Sequence, residues 1–300
     1  MALSVAQTLT TDRPVPTSWA FEAGDEIAPG LAAQALLGIG ERYEVHLAWN
    51  HRLLAPTVVK LLRPQLVDNE RALRSLATEA ALLHRLNHPG LPRRFGFETA
   101  GERPYLEIEF LDGPRLSTLV RRHGRLAPEQ LYPLARQLAA TLVYLHGERI
   151  LHLDVKPRNI IMSSVPRLID LSVARTFDSV PRIRGFIGTD PYMAPEQADP
   201  DRFGLIGPAS DVWGLGATLY EAALKRRPYA RGRRGGTLLE RFPQLGATVT
   251  VSSDRIPPPL AELLETCLAA DPDDRPTPID LFDAFDDLAS RSGVGRLYLR

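Results

Sequence analysis

The chain has 300 residues, 36 of them basic and 36 acidic, so its formal net charge is zero. No global field therefore points to nucleic acid or a membrane surface as a partner. With 44% apolar and 24% charged residues, the composition is globular rather than disordered, and the length suits two compact lobes with real cores.

A single cysteine, Cys267, excludes an internal disulfide and fits a reducing compartment. The first residues lack a basic start followed by an apolar core, and no apolar run is long enough to span a bilayer. The expectation is a soluble, cytoplasmic protein.

Residues 1–18 are polar, with Pro14 and Pro16, and are expected to form a mobile tail. Gly24 to Gly30 reads as a turn-rich entry. Gly38-Ile39-Gly40 then precedes an alternation of Tyr43, Val45 and Leu47, which predicts strand–turn–strand. A glycine-rich turn between strands can lay backbone amides over phosphates, or it can be a plain hairpin turn.

Thr57 to Leu62 is a β-branched strand carrying one inward lysine, Lys60. Asn69 to Asn87 reads as a helix with an apolar stripe at Leu73, Leu76, Ala80, Leu83 and Leu86, stopped by Pro89. Glu79 on that helix is either a solvated residue or the fixed carboxylate that a buried Lys60 needs. His84 and His88 have zinc-ligand spacing, but Arg85 follows His84 and no third ligand is evident.

Tyr105 to Leu111 is a strand ending at Asp112-Gly113. Leu116 to Arg122 and Pro128 to Gly147 are helices, the second with core leucines at 131, 134, 138, 142 and 145. It delivers the chain to His152-Leu153-Asp154-Val155-Lys156-Pro157-Arg158-Asn159. Two short apolar strands follow, Asn159 to Met162 and Arg167 to Asp170, forming a hairpin with polar tips. Asp154 can take a proton from a hydroxyl, and Lys156 can balance charge on a transferring phosphoryl group. Asn159 and Asp170 are oxygen ligands suited to Mg²⁺.

Thr176 to Gly188 suits a mobile loop. Gly188 to Glu196 follows, then an apolar helix opened by Ser210-Asp211-Val212-Trp213-Gly214, and then Asp271 to Pro276. Lys225 to Arg234 holds six basic residues and no acid. It reads as a solvated loop or as a dock for an acidic partner. Residues 291–300 look like a C-terminal tail.

These motifs, in this order, resemble the protein kinase family, in its eukaryotic-like (Hanks-type) bacterial serine/threonine branch. His152-Leu153-Asp154 with Asn159 resembles the catalytic loop, and Asp170-Leu171-Ser172 the metal-binding Asp-Phe-Gly triplet. Ala194-Pro195-Glu196 matches the triplet closing the activation segment. The likeness implies an α+β, two-lobed kinase fold, with a small β-rich lobe over residues 19–110 and a larger helical lobe over 111–290. ATP and Mg²⁺ or Mn²⁺ would bind between the lobes.

By the same likeness, the nucleotide would be held by Leu37, Gly38, Ile39, Gly40, Val45, Val58, Lys60, Glu79, Ile108, Glu109, Leu111 and Ile161. Asp154, Lys156 and Thr189 would be catalytic, and Asn159 and Asp170 would carry metal. Thr189 would bond Asp154 and Lys156, Asp211 would hold the catalytic-loop backbone, Arg275 would pair with Glu196, and His152 would be structural. Protein substrates, the chain itself possibly among them, are the implied partners.

Three departures from the pattern are Tyr43 for the third glycine, Leu153 for arginine, and Leu171-Ser172 for phenylalanine–glycine. They leave a pseudokinase, an ATP-binding or scaffolding module, as the alternative. A small-molecule kinase fits less well, since Gly188 to Glu196 resembles a peptide-binding segment. Leu153 also removes a cation that a phosphate at Thr176 or Ser179 would meet, leaving only the loop's own Arg175, Arg182 and Arg184.

Overall fold

Alternating residues of one strand decide the first half of the molecule. In Ala55–Leu62, Thr57, Val59 and Leu61 are buried on one face, and Lys60 and Leu62 are also withdrawn from solvent. A strand covered on both faces belongs in the middle of a sheet. The computed structural model, which describes residues 17–183, 185–251 and 256–293, places it there.

The strands in chain order are β1 (Glu26–Ala28), β2 (Leu31–Ile39), β3 (Tyr43–Asn50), β4 (Ala55–Leu62), β5 (Arg94–Glu98) and β6 (Tyr105–Glu109). They form a six-stranded sheet of order β1-β2-β3-β4-β6-β5. The register sets Val45 opposite Lys60, and Val58 opposite Ile108. Ile27, Leu31, Ala33, Ala48, Val59 and Leu61 form an apolar core, with Trp19, Phe21 and Tyr105 packed against it. Helix α1 (Glu70–Arg85) follows β4, and Asn69 Oδ1 accepts the Ala72 N–H at 3.0 Å as its N-terminal cap.

Two elements depart from the sequence reading. The expected entry turn at Gly24 to Gly30 contains β1, a strand short enough to be hidden by its flanking glycines, both at positive φ. Strand β5, Arg-Phe-Gly-Phe-Glu, is short, with a glycine at its centre and no β-branched residue, so the alternation of Phe95 and Phe97 alone is a weak strand signal. An added Cβ on Gly96 would lie 2.7 Å from the Glu107 carboxylate, so the glycine admits the neighbouring strand's side chain.

The remainder is helical. It holds α2 (Leu116–His123), α3 (Pro128–Gly147), α4 (Pro195–Ala198), α5 (Pro200–Phe203), α6 (Pro208–Leu224), α7 (Leu238–Arg241), α8 (Pro258–Cys267) and α9 (Pro278–Arg291). Leu131, Leu134, Leu138, Leu142 and Leu145 are all buried, and α3 packs on α9 and α6. Thr277 and Asp280 cap α9 reciprocally. Short strands β7 (Ile150–Leu151), β8 (Ile160–Ile161), β9 (Arg167–Leu168) and β10 (Arg175–Thr176) pair as β7–β10 and β8–β9. The expected polar-tipped hairpin is therefore present, with two-residue strands.

The fold is α+β with two compact units. The β-rich unit comprises the described residues up to Ala77 and Phe95–Glu109, and the helical unit comprises Thr78–Arg94 and the described residues from Phe110. Of the two expected tails, residues 1–16 and 294–300 lie outside the described residues, as does Arg184. Residues 176–182, expected as loop, begin with the end of β10 and continue as 3₁₀ turns over Phe177–Arg182.

Candidate active site

Strand β7 ends where the first turn of α6 can reach it. Asp211, fully buried, accepts the N–H of His152 at 2.9 Å and of Leu153 at 2.7 Å, and its Oδ2 lies 2.9 Å from His146 Nε2. Burial alone would raise its pKa. The His146 hydrogen bond, the charges of His146 and His152 and the His152 N–H outweigh it and hold the carboxyl below the ordinary range. His152 is itself buried, with Nε2 3.2 Å from the Ile169 carbonyl oxygen, which is a packing and positioning arrangement.

Beyond this anchor the side chains form a closed ring. Lys156 Nζ donates to Asp154 Oδ2 and to Thr189 Oγ1, both at 2.6 Å, and Thr189 Oγ1 donates to Asp154 Oδ1 at 2.7 Å. Asn159 Nδ2 donates to the Asp154 carbonyl at 3.0 Å and to its Oδ2 at 3.1 Å. Asp154, Lys156, Asn159 and Thr189, picked from the sequence 35 residues apart at the extremes, are thus brought together.

The metal assignment can be tested on its donors. Asn159's two donations to Asp154 turn its amide oxygen the other way. The Ile169 N–H donates to the Asn159 carbonyl at 2.8 Å, which ties the end of the hairpin, and with it Asp170, to the Asn159 turn. Asp170 is half-buried at φ +71°, a conformation costly for a non-glycine residue. One amide oxygen and one carboxylate are hard donors that fit Mg²⁺ or Mn²⁺, with phosphate oxygens and water completing the shell. No group of three or more His, Cys, Asp or Glu suited to a metal occurs among the described residues.

Thr189 is held by contacts the sequence reading did not foresee. Gln197 Nε2 donates to the carbonyls of Leu153 at 3.0 Å and Ile187 at 2.9 Å, while its Oε1 accepts the Ala194 N–H. One amide thereby clips the segment before Thr189 to the catalytic loop. Gly188, at φ +111°, passes so near that a Cβ would stand 2.6 Å from the Leu153 oxygen. The available signal was a buried-type amide directly after Ala194-Pro195-Glu196. Farther on, Glu196 and Arg275 form a buried two-pronged ion pair.

The β-rich unit carries most residues assigned to the nucleotide. Leu37, Gly38 and Ile39 end β2, and Gly40 N–H donates to the Tyr43 carbonyl to close the turn. Neither Gly38 nor Gly40 has positive φ, and a Cβ on either would meet no crowding from the protein. The fold itself does not require glycine here, whereas close approach of a phosphate to the backbone does. Val45 lies on β3, Val58 and Lys60 on β4, and Ile108 and Glu109 on β6. Lys60 is buried with its ammonium 5.0 Å from the centre of the Tyr43 ring. In the helical unit, Glu79 is buried on α1, Ile161 is half-buried on β8, and Leu111 follows β6 half-buried.

The remaining sequence candidates have other uses. His84 Nδ1 lies 3.1 Å from Arg94, and His88 Nδ1 accepts the Gly90 N–H while its ring stacks on Tyr144. In the basic run, Arg226 lies over Tyr220, Arg227 lies 3.7 Å from Glu221, and Arg233 pairs with Glu240 at 2.6 Å.

Residues 31–285 match the protein kinase domain family. Curated relatives include the serine/threonine-protein kinase PkaA of Streptomyces coelicolor, 32% identical over 245 residues, 79% of this chain and 44% of that protein. PknB of Mycobacterium tuberculosis, a serine/threonine-protein kinase, is 33% identical over 204 residues, 65% of this chain and 32% of that one. The probable serine/threonine-protein kinase PkwA of Thermomonospora curvata is 31% identical over 233 residues, 75% of this chain and 30% of that one. The chain spans less than half the length of these relatives.

Proposed function

The chain belongs to the protein kinase family, and from that premise we propose that it transfers the γ-phosphoryl group of ATP to serine or threonine hydroxyls of proteins, its own included. The observation that carries the reading is the ring joining Asp154, Lys156 and Thr189, with Asn159 bonded to Asp154. In it Asp154 orients the acceptor hydroxyl and takes its proton. Lys156, held 2.6 Å from that carboxylate, balances charge on the phosphoryl group as it moves. Thr189 fixes the angle of both and lines the acceptor site.

Lys60 holds the α- and β-phosphates. Gly38 and Gly40 let the phosphates approach the backbone closely, with Leu37, Ile39, Val45, Val58, Ile108 and Ile161 as apolar walls for the base and Glu109 and Leu111 as backbone contacts. Asn159 and Asp170 hold Mg²⁺ or Mn²⁺, which would supply charge neutralisation at the phosphates. Most of the rate comes from positioning and electrostatics, because the transition state is loose.

The departures at Tyr43, Leu153 and Ser172 remove none of these groups, which supports activity over a scaffolding role. A single cysteine, Cys267, leaves no partner for an internal disulfide and fits a reducing, cytoplasmic setting. Among the described residues no helix is long and apolar enough to cross a membrane. With three of its cations engaged within the chain, the run from Lys225 to Arg234 is better read as a solvated loop than as a dock for an acidic partner.

The test is incubation with labelled ATP, Mg²⁺ and a general protein substrate, beside Asp154→Asn. Label transferred by the parent and lost in the variant is the expected result. ATP binding without transfer by the parent would favour the pseudokinase reading, and equal transfer by both would remove Asp154 from its role.

A further inference from the structure

Residues 17–30 are ordered against the β-rich unit but precede the part of the chain that matches the kinase family, which begins at Leu31. Their first part is a strap anchored by Trp19. Trp19 and Phe21 pack on the apolar core of the sheet, with ring centroids 6.2 Å apart. Trp19 Nε1 donates to the Leu62 carbonyl at 2.8 Å, and its backbone N–H donates to the carboxylate of buried Glu44 at 3.1 Å. The Arg103 guanidinium lies 5.7 and 5.0 Å from the centres of the two rings, and it donates to the Glu26 carbonyl at 2.7 Å.

Two residues before Trp19, the Thr17 carbonyl accepts Arg63 Nε at 3.0 Å and Arg63 Nη2 at 2.7 Å. The same guanidinium turns Nη1 to the Gly40 carbonyl at 3.3 Å, and the Arg63 backbone N–H donates to the Arg42 carbonyl at 3.0 Å. One half-buried residue thus joins the strap to the glycine-rich turn. That turn has little packing of its own, since residues 39–42 are exposed. A backbone that must be ordered when its ligand arrives loses affinity, and a turn held beforehand does not. The guanidinium suits this task because its donors sit in a rigid fork and reach two carbonyls at once.

We propose that Arg63 is a positioning residue for the nucleotide turn, and that Trp19 acts through it by fixing the Thr17 carbonyl. The proposal rests on the kinase reading above, in which phosphates approach Gly38 and Gly40. Both residues act on the turn, and neither is required to touch the nucleotide.

The full chain is compared with Arg63→Met, Arg63→Lys, Trp19→Ala and the double variant Trp19→Ala/Arg63→Met. KM for ATP, KM for a general protein substrate and kcat are measured. Calorimetry gives Kd for a non-hydrolysable ATP analogue with Mg²⁺, and amide hydrogen exchange is followed without nucleotide. Arg63→Met should raise KM for ATP and Kd about three- to tenfold, the scale of one or two lost hydrogen bonds. Its kcat and its KM for the protein substrate should stay near the parent values. Exchange should quicken at residues 39–43 and stay unchanged at Val59 in the core. Arg63→Lys should recover less than half of the loss. Trp19→Ala should act in the same direction, and the double variant should be no worse than Arg63→Met.

A KM for ATP within twofold of the parent in Arg63→Met, an equal rise in both KM values, or losses that add in the double variant each overturn the proposal. If the parent binds the analogue without transferring label, the Kd comparison decides in their place. If it does neither, the kinase reading fails. Exchange then decides the tether, since faster exchange at residues 39–43 in Arg63→Met supports it and unchanged exchange overturns it. Trp19→Ala removes core packing, so circular dichroism checks its fold, and the two Arg63 variants carry the test if it does not fold.

Discussion

Arg275 lays both terminal guanidinium nitrogens on the Glu196 carboxylate, at 2.8 and 2.9 Å, with neither side chain reaching solvent. Its other donations go to the carbonyls of Ala209, Ala269 and Ala270, and its guanidinium lies 4.9 Å from the Trp213 ring centre. This one residue therefore joins the end of the activation segment, the start of α6 and the turn before α9. Removing one partner of such a pair leaves a buried charge alone, which costs about 3–5 kcal/mol. Arg275→Ala should lower thermal stability by that order, and Arg275→Lys should recover little, because a point charge cannot replace the fork. A loss below about 1 kcal/mol, the scale of an exposed pair, would show that the buried pair contributes little.

Leu153 is buried with Leu151 and Ile187, and Val173, Phe177, Val180, Ile183 and Ile206 pack against them. Where the family pattern has an arginine awaiting a phosphate, this chain has an apolar cluster that already holds the activation segment. Ser179 Oγ is engaged with the Thr176 carbonyl, and Arg175 donates to the carbonyls of Val173 and Ala174. Thr176→Ala and Ser179→Ala, singly and together, should keep most of the parent's transfer rate after phosphatase treatment. Leu153→Ala should cost about 2–5 kcal/mol, as core truncations do, and speed hydrogen exchange at Ile187 and Val180. A large rate loss in the double alanine variant, rescued by acidic replacements, would contradict this.

Asp211 supplies the pH dependence. Its folded pKa lies below the ordinary 3.8, so the unfolded state binds the proton more readily. Its stabilising contribution is therefore complete above that value and is lost as pH falls through the lower, folded pKa. The stability gap between the parent and Asp211→Asn should be widest near neutrality and should narrow below about pH 4. Chemical denaturation at pH 7 and at pH 3 reads this directly, and a gap that widens on acidification would reverse the sign.

Tyr43 sets its ring beside the Lys60 ammonium at 5.0 Å. Such contacts are worth about 0.5–2 kcal/mol. On the proposed function, Tyr43→Phe should keep KM for ATP near the parent value, because the ring face remains. Tyr43→Gly, which restores the family's residue, should raise KM several-fold with kcat less affected. Equal behaviour of the two variants would remove the ring from Lys60's positioning.

The frame of this protein was readable where spacing carries physics. Leucines three and four apart can only be one buried helical face, and α3 has the bounds they imply. The polar tips of the β8–β9 hairpin were legible because acid, base and amide lay within six residues. What stayed hidden were relations between distant side chains. Nothing local shows that Gln197 will clip Leu153 to Ile187, or that Leu153 will join six apolar residues from later in the chain. Strand β5 escaped for the opposite reason, since its glycine serves Glu107 on a neighbour rather than its own segment.

The hydrogen bonds at Asp154 also fix how many more it can accept. A carboxylate offers about four lone-pair sites. Lys156 and Asn159 occupy two on Oδ2, and Thr189 occupies one on Oδ1. The capacity that remains belongs to Oδ1, on the side shared with the threonine hydroxyl. A second hydroxyl approaching Asp154 thus has a single direction of entry, settled by valence before any shape of the surrounding surface is considered.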